Sequence, residues 1–218
     1  MRKTTALQTG FLLIAAFAVW TALIRMIEVR PIGPNASMVG FASLNGWVHQ
    51  LTGVHMTLYT VTDWLGLVPV FVCMIFAVLG LIQLIGRRSL FKVDRDIVYL
   101  GIYYIVVICF YLIFEMFPIN YRPVLIEGRL EASYPSSTTL LVLGVMPTLT
   151  EQAGRRLGNK TAKSWIRVFV ICFCAFMVPG RLISGVHWIT DIVGALLLSI
   201  GSFFIYKACV MPHCGNGK

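Results

Sequence analysis

Three short stretches of this chain concentrate side chains able to handle an anion. They are Tyr121-Arg122-Pro123, then Tyr134-Pro135-Ser136-Ser137-Thr138-Thr139, then Gly180-Arg181 followed by His187 and Asp191. Arg122 and Arg181 supply permanently charged, planar donor forks that match phosphate oxygens. A Pro-Ser-Ser-Thr-Thr run that opens a helix adds hydroxyls and free backbone N–H groups, a ready anion site. His187 and Asp191 stand four apart, the spacing of one helical face or of the turn entering it. A carboxylate bonded to one ring nitrogen fixes the tautomer and leaves the other nitrogen as nucleophile or base. The set reads as phosphoryl transfer: neutralise the phosphate, then attack phosphorus with imidazole. Each piece alone has a plainer reading, the arginines as headgroup anchors and His187 with Asp191 as a structural polar pair. Their joint occurrence favours a phosphate site.

Bringing such distant residues together needs a frame, and the composition says which kind. The chain has 218 residues, 58% hydrophobic and 12% charged, against roughly 45–50% and about 25% in soluble domains. This excludes an ordinary soluble domain, and it excludes disorder, whose signature is low hydrophobicity with high charge. A bilayer core of about 30 Å takes roughly 20 apolar residues as a helix. Six stretches approach that length, at 6–27, 65–85, 97–117, 136–150, 164–178 and 188–210. The fourth gives only about 22 Å at the helical rise, so it either continues to Arg155 or ends below the bilayer surface. Arg2 and Lys3 with Ala16-Phe17-Ala18 suggest a secretory signal, but the apolar run continues to Ile24 and reads as an uncleaved anchor.

The first outer loop, 28–64, opens with Pro31, Gly33 and Pro34. It then shows Phe41, Leu44, Trp47, Val48, Leu51 and Val54 at helical spacing. The stripe predicts a helix too short to span, lying on the outer leaflet with Trp47 at headgroup level. His49 and His55 read as interfacial polar residues rather than metal ligands, and Asn35-Ala36-Ser37 as a chance glycosylation tripeptide. The expected fold class is all-α, an integral membrane bundle of six transmembrane helices with an interfacial helix in the first outer loop, forming a single domain over 1–218.

Charge supplies an orientation. The net charge of +9 first suggests a nucleic-acid partner, but its placement argues for none. With the N-terminus in the cytoplasm, Arg2, Lys3, Arg87, Arg88, Lys92, Arg95, Arg155, Arg156, Lys160, Lys163, Arg167, Lys207 and Lys218 are cytoplasmic. Only Arg25, Arg30, Arg122, Arg129 and Arg181 fall outside. This is the positive-inside pattern, with an attraction to anionic membrane lipids. Both termini are then cytoplasmic, and all three polar stretches meet at the extracytoplasmic face. Cys73, Cys109, Cys172 and Cys174 fall inside spans and Cys209 and Cys214 at the cytoplasmic end, so no outer disulfide framework is expected. Cys172 and Cys174 read as buried filler, not a zinc site.

The three stretches resemble the motifs of the type 2 phosphatidic acid phosphatase (PAP2) superfamily, K-x6-R-P, P-S-G-H and S-R-x5-H-x3-D. Arg122-Pro123 matches the end of the first, Pro135-Ser136 the start of the second, and Arg181, His187 and Asp191 the third with its spacing intact. Order, gaps and the six-span layout resemble the family over nearly the whole chain. The resemblance implies a membrane lipid phosphatase acting on a lipid phosphate or diphosphate, with no metal or other cofactor. His187 would form a phosphohistidine, Asp191 would orient it, and Arg122, Ser136, Ser137 and Arg181 would bind the phosphate. No oligomeric state follows from it.

Three departures bear on activity. Glu115 stands at the first-motif lysine, Ser137 and Thr138 at the second-motif glycine and histidine, and Gly180 at the third-motif serine. In the family the missing histidine protonates the leaving oxygen, which threonine cannot do near neutral pH. General acid catalysis is worth about 10²–10⁴ in rate, or some 3–5 kcal/mol. Phosphate leaving from a diphosphate needs that proton less than an alkoxide does, so a lipid diphosphate is the favoured substrate. Glu127, Glu131 or Tyr134 are candidate substitute donors, and Glu115 is expected to pair with Arg122 or Arg129. The alternative reading is a degenerate, catalytically inactive protein that binds lipid phosphates. A solute transporter ranks below both, because the polar set lies at one face rather than mid-bilayer. Transfer to an acceptor other than water would use the same residues.

Overall fold

The computed structural model describes residues 2–211, so the expectations for Cys214 and Lys218 lie outside the described residues. Eight α-helices follow one another: α1 (Lys3–Met26), α2 (Ala42–Thr52), α3 (Met56–Leu65), α4 (Leu67–Arg87), α5 (Arg95–Met116), α6 (Ser137–Arg156), α7 (Lys160–Ile183) and α8 (Ile189–Val210). Among the described residues the only β pairing is three isolated bridges. The protein is all-α.

Among the described residues, five segments are long and apolar enough to cross a bilayer: α1, the α3–α4 stretch Met56–Arg87, α5, α7 and α8. The expected sixth, α6, falls short in apolarity but not in length. It runs 20 residues, to Arg156, or about 30 Å at 1.5 Å per residue. Two of its polar side chains, Thr148 and Gln152, are buried and paired within the bundle. Tyr104 and Thr148 share a 2.7 Å hydrogen bond, and Gln152 donates to the Tyr206 hydroxyl at 3.0 Å. A helix shielded by its neighbours does not need a lipid-compatible surface, which explains why an apolar run of 136–150 underestimated it.

The core around α6 is built from α4, α5, α7 and α8 through Val72, Leu100, Val107, Val142, Met146 and Met177. α1 is held on the other side of α8 by close backbone approach. A methyl on Gly10 would lie 3.0 Å from the Gly201 carbonyl oxygen, and one on Gly201 3.2 Å from that of Gly10. Small residues that let helix backbones meet are the usual packing device in membranes.

α2 confirms the amphipathic reading with a specific anchor. Leu44, Trp47 and Leu51 are uncovered by protein. Asn45 on the opposite face is buried and donates to Thr190 Oγ1 of α8 at 3.0 Å. All but the last residue of α3 falls within 28–64, where the apolar stripe predicts only the α2 helix. It runs into α4 across a bend near Gly66, where Pro69 cannot donate to the Leu65 carbonyl. Cys174 is half-buried, but Cys172 is exposed on the outside of α7, correcting its reading as buried filler.

The chain's basic clusters gather at one end of the bundle. Arg156 pairs with Asp96 at 2.7 Å and with Asp94 at 3.3 Å, Arg87 pairs with Asp94 at 2.7 Å, and Lys207 approaches Glu151 at 3.8 Å. The three phosphate-type stretches lie at the opposite end.

Candidate active site

Residues 117–136, between α5 and α6, fold into a short strap across that opposite end. Tyr121 bridges Ala132 and Ile126 bridges Arg129 in antiparallel fashion. The reversal at Glu127-Gly128 uses two left-handed residues, φ 50° and 77°, as a tight hairpin turn requires. The strap fixes Arg122, whose N–H donates to Glu131 O at 3.0 Å, and Ser133, whose N–H donates to Asn120 O at 2.9 Å. The loop from α7 to α8 closes beneath it. Gly185, at φ 71°, sits where a methyl would come within 2.0 Å of the Gly53 carbonyl oxygen, so only glycine fits. Trp188 Nε1 ties this loop to the strap by donating to Tyr121 O at 2.8 Å.

His187 and Asp191 are buried in this junction, but they do not touch as their spacing suggested. His187 Nδ1 and Asp191 Oδ2 are 3.8 Å apart, too far for a hydrogen bond. α8 begins only at Ile189, so His187 stands before the helix and the i,i+4 stacking of two helical residues does not apply. Ser133 fills the gap. Its Oγ donates to Asp191 Oδ2 and lies 3.1 Å from His187 Nδ1. A hydroxyl has one proton. With that proton on the carboxylate, Ser133 accepts from Nδ1–H, and Nε2 keeps the lone pair. Asp191 also accepts from Trp188 N–H at 2.9 Å and from Asn120 Nδ2 at 3.3 Å, and it lies in the first turn of α8, where the helix dipole favours a carboxylate.

Arg181 faces Nε2 from the last turn of α7, and Arg122, held by the strap, lies close enough for its charge to act on the ring. Arg181 Nη2 is 3.3 Å from Nε2, while Nη1 reaches Thr62 Oγ1 and Asp63 Oδ1, both at 3.4 Å. The guanidinium carbons of Arg181 and Arg122 stand 5.0 and 5.8 Å from the centre of the Tyr59 ring. Arg122 Nε lies 3.2 Å from Glu131 Oε2 but is not aligned to bond it. Arg122 Nε and Nη1 and Arg181 Nε are buried without a hydrogen-bond partner. Buried unpaired donors on two like charges are costly unless an anion joins them. Burial first, then the charges of Arg181 and Arg122, hold the His187 imidazole well below the ordinary histidine pKa, so it is neutral.

The second stretch divides. Ser136 is fully buried, its Oγ donating to Thr139 Oγ1 at 3.0 Å and its N–H to Asp191 O at 3.3 Å. Ser137 lines an open cleft of about 500 Å³ with Glu115, Tyr121, Arg122, Arg129 and Glu131. Thr138 packs on the α3–α4 junction, where a methyl on Gly66 would be 3.3 Å from its Cγ2. Two expectations are corrected. Tyr134 turns away from the cleft: its hydroxyl shares a 2.7 Å bond with Thr21 and its ring packs on Phe17 and Phe114. Glu115 is exposed on the cleft rim with no ion pair among the described residues, and the carboxylate beside Arg122 is Glu131.

The structure adds residues that motif reading missed: Ser133, Asn120, Tyr59, Thr62 and Asp63. The last three had a legible signal, since Asp63 is an ionisable residue at the start of an apolar run with Tyr59 and Thr62 on the same helical face. Ser133 and Asn120 had none, because their partners are far off in the sequence.

A multi-pass helical membrane bundle with two buried arginines beside a histidine at one end defines the class. Residues 70–213 match the PAP2 superfamily model, and the chain belongs to that superfamily. The fold is shared with a solved structure described as the first transmembrane PAP2 type phosphatidylglycerolphosphate phosphatase from Bacillus subtilis. The TM-score is 0.63 at 16% sequence identity, over 91% of this chain and 94% of that one. No curated protein matches the chain.

Proposed function

We propose that this phosphatase-type membrane protein hydrolyses a lipid phosphate, with preference for a lipid diphosphate, through a phosphohistidine at His187 Nε2. The observation that carries this reading is the neutral imidazole whose free nitrogen faces Arg181 while buried N–H groups of Arg122 and Arg181 have no partner. Phosphate oxygens entering between the guanidiniums would satisfy those donors and place phosphorus on Nε2. As the N–P bond forms, the ring gains charge, and Asp191 stabilises it through the Ser133 hydroxyl. Thr138 stands where a general acid is expected and offers none, so the leaving group must depart largely unassisted. A lipid monophosphate anion released from a diphosphate does so far more readily than an alkoxide. Lysine and arginine at the opposite end support a cytoplasmic placement for that end and an extracytoplasmic site.

The alternative, a binding protein without turnover, draws on Thr138 and on Glu115 in the cleft. One experiment separates the two. Purified protein in detergent is given lipid mono- and diphosphates labelled at the terminal phosphorus, with His187→Ala as control. The proposal expects phosphate release and acid-labile label on His187, both lost in the variant. Binding without release or label supports the alternative. Faster release from phosphatidic acid than from a polyprenyl diphosphate contradicts the diphosphate preference.

A further inference from the structure

The missing second-motif histidine leaves one chemical task open besides leaving-group protonation. A phosphohistidine must be opened by water, and water attacks phosphorus faster when a base takes its proton. Thr138 supplies no base. It packs against the junction of α3 and α4, where a methyl on Gly66 would lie 3.3 Å from Thr138 Cγ2 and 2.8 Å from the Asp63 backbone oxygen. Asp63 stands in the last turn of α3, which leads into that junction.

Arg181 connects Asp63 to the reacting nitrogen. The same guanidinium presents Nη2 to His187 Nε2 at 3.3 Å and Nη1 to Asp63 Oδ1 at 3.4 Å. Asp63 and the reacting nitrogen thus share one guanidinium. It is also wet: its side chain is 54% exposed, where that of Arg181 is 1% and that of Asp191 0%. The other nearby carboxylates are placed for other things. Asp191 is engaged with Ser133, Glu131 lies against Arg122, and Glu115 is out on the rim. Asp63 also precedes residues 70–213, the segment matched to the family, so this group belongs to a part of the chain the family motifs do not describe.

We propose that Asp63 is the general base of the second half-reaction. This rests on the phosphohistidine reading above. The Asp63 carboxylate takes a proton from a water whose oxygen forms a bond to phosphorus. The Nε2–P bond breaks, its electron pair returns to Nε2, and inorganic phosphate leaves. Asp63 then returns the proton to solvent, and Arg181 holds both the carboxylate and the phosphoryl oxygens throughout.

The test uses the full-length protein in detergent with farnesyl diphosphate labelled at the β-phosphorus. In Asp63→Asn, whose side-chain oxygen still accepts from Arg181, the burst of farnesyl phosphate persists. Steady-state turnover falls about 10²-fold or more, and labelled phosphohistidine accumulates. Hydroxylamine, a nucleophile that needs little base assistance, restores release of the label. Asp63→Ser carries the same test should the asparagine variant not purify folded. Unchanged turnover, or burst and turnover falling together without accumulated label, overturns the assignment of Asp63. Absence of label from the unaltered protein, or label persisting in His187→Ala, overturns the phosphohistidine reading itself.

Discussion

Ser133 stands between His187 and Asp191, accepting from the imidazole and donating to the carboxylate across a 3.8 Å gap that the two cannot bridge directly. The hydroxyl therefore does the orienting that a direct carboxylate contact would otherwise do. Ser133→Ala leaves the buried Nδ1–H without a partner and the tautomer unfixed. That costs about 1–3 kcal/mol, so kcat/KM for a lipid diphosphate should fall roughly 5- to 150-fold. Steady-state kinetics on the purified variant checks this, and a rise in KM with kcat unchanged would argue against an orienting role.

The paired guanidiniums over Tyr59 predict a trade between stability and binding. In the ligand-free protein Arg122→Leu removes a buried like charge and two unpartnered N–H groups, so its Tm should equal or exceed that of the parent. Inorganic phosphate should stabilise the parent by about 2.7 kcal/mol at a hundredfold excess over Kd, and so raise its Tm. It should do little for Arg122→Leu. Thermal denaturation with a phosphate titration reads both effects, and a parent insensitive to phosphate would count against the cradle.

Substrate choice should follow the leaving group. The parent is expected to favour a polyprenyl diphosphate over the matching monophosphate by about 10²-fold or more in kcat/KM, the scale of a missing general acid. Thr138→His should narrow the ratio by raising monophosphate turnover. Competition assays with the two substrates in one detergent mixture measure it, and a ratio unmoved by the substitution would separate Thr138 from leaving-group chemistry.

The neutral state of His187 has two pH signatures. Its pKa is depressed by burial and by the two arginines, so the acid limb of kcat/KM due to this imidazole should lie below about 6.5, the free histidine value. The unfolded chain binds that proton more readily than the folded one. The contribution of His187 to stability is therefore complete above about pH 6.5 and is lost as the pH falls through that value towards the folded pKa. The difference in Tm between the parent and His187→Asn, followed from pH 8 to pH 5, isolates it. A difference that grows in the parent's favour on acidification would reverse the sign and contradict the burial argument.

Sequence alone determined the membrane class, the approximate positions of five apolar spans and the motif residues. Long apolar runs have one stable use, and R-x5-H-x3-D can be read as a string. It also placed α2, because a stripe at helical spacing survives in a short segment. It did not determine how far α6 extends, because a helix largely covered by α4, α5, α7 and α8 needs little apolar surface of its own. Nor did it reveal how His187 is oriented. That depends on where α8 starts and on a serine delivered by the strap after α5. The tertiary structure alone brought Tyr59, Thr62 and Asp63 to Arg181. The reason is physical: burial and periodicity are local averages along a chain, while a hydrogen bond between residues more than 100 positions apart depends on how whole helices pack.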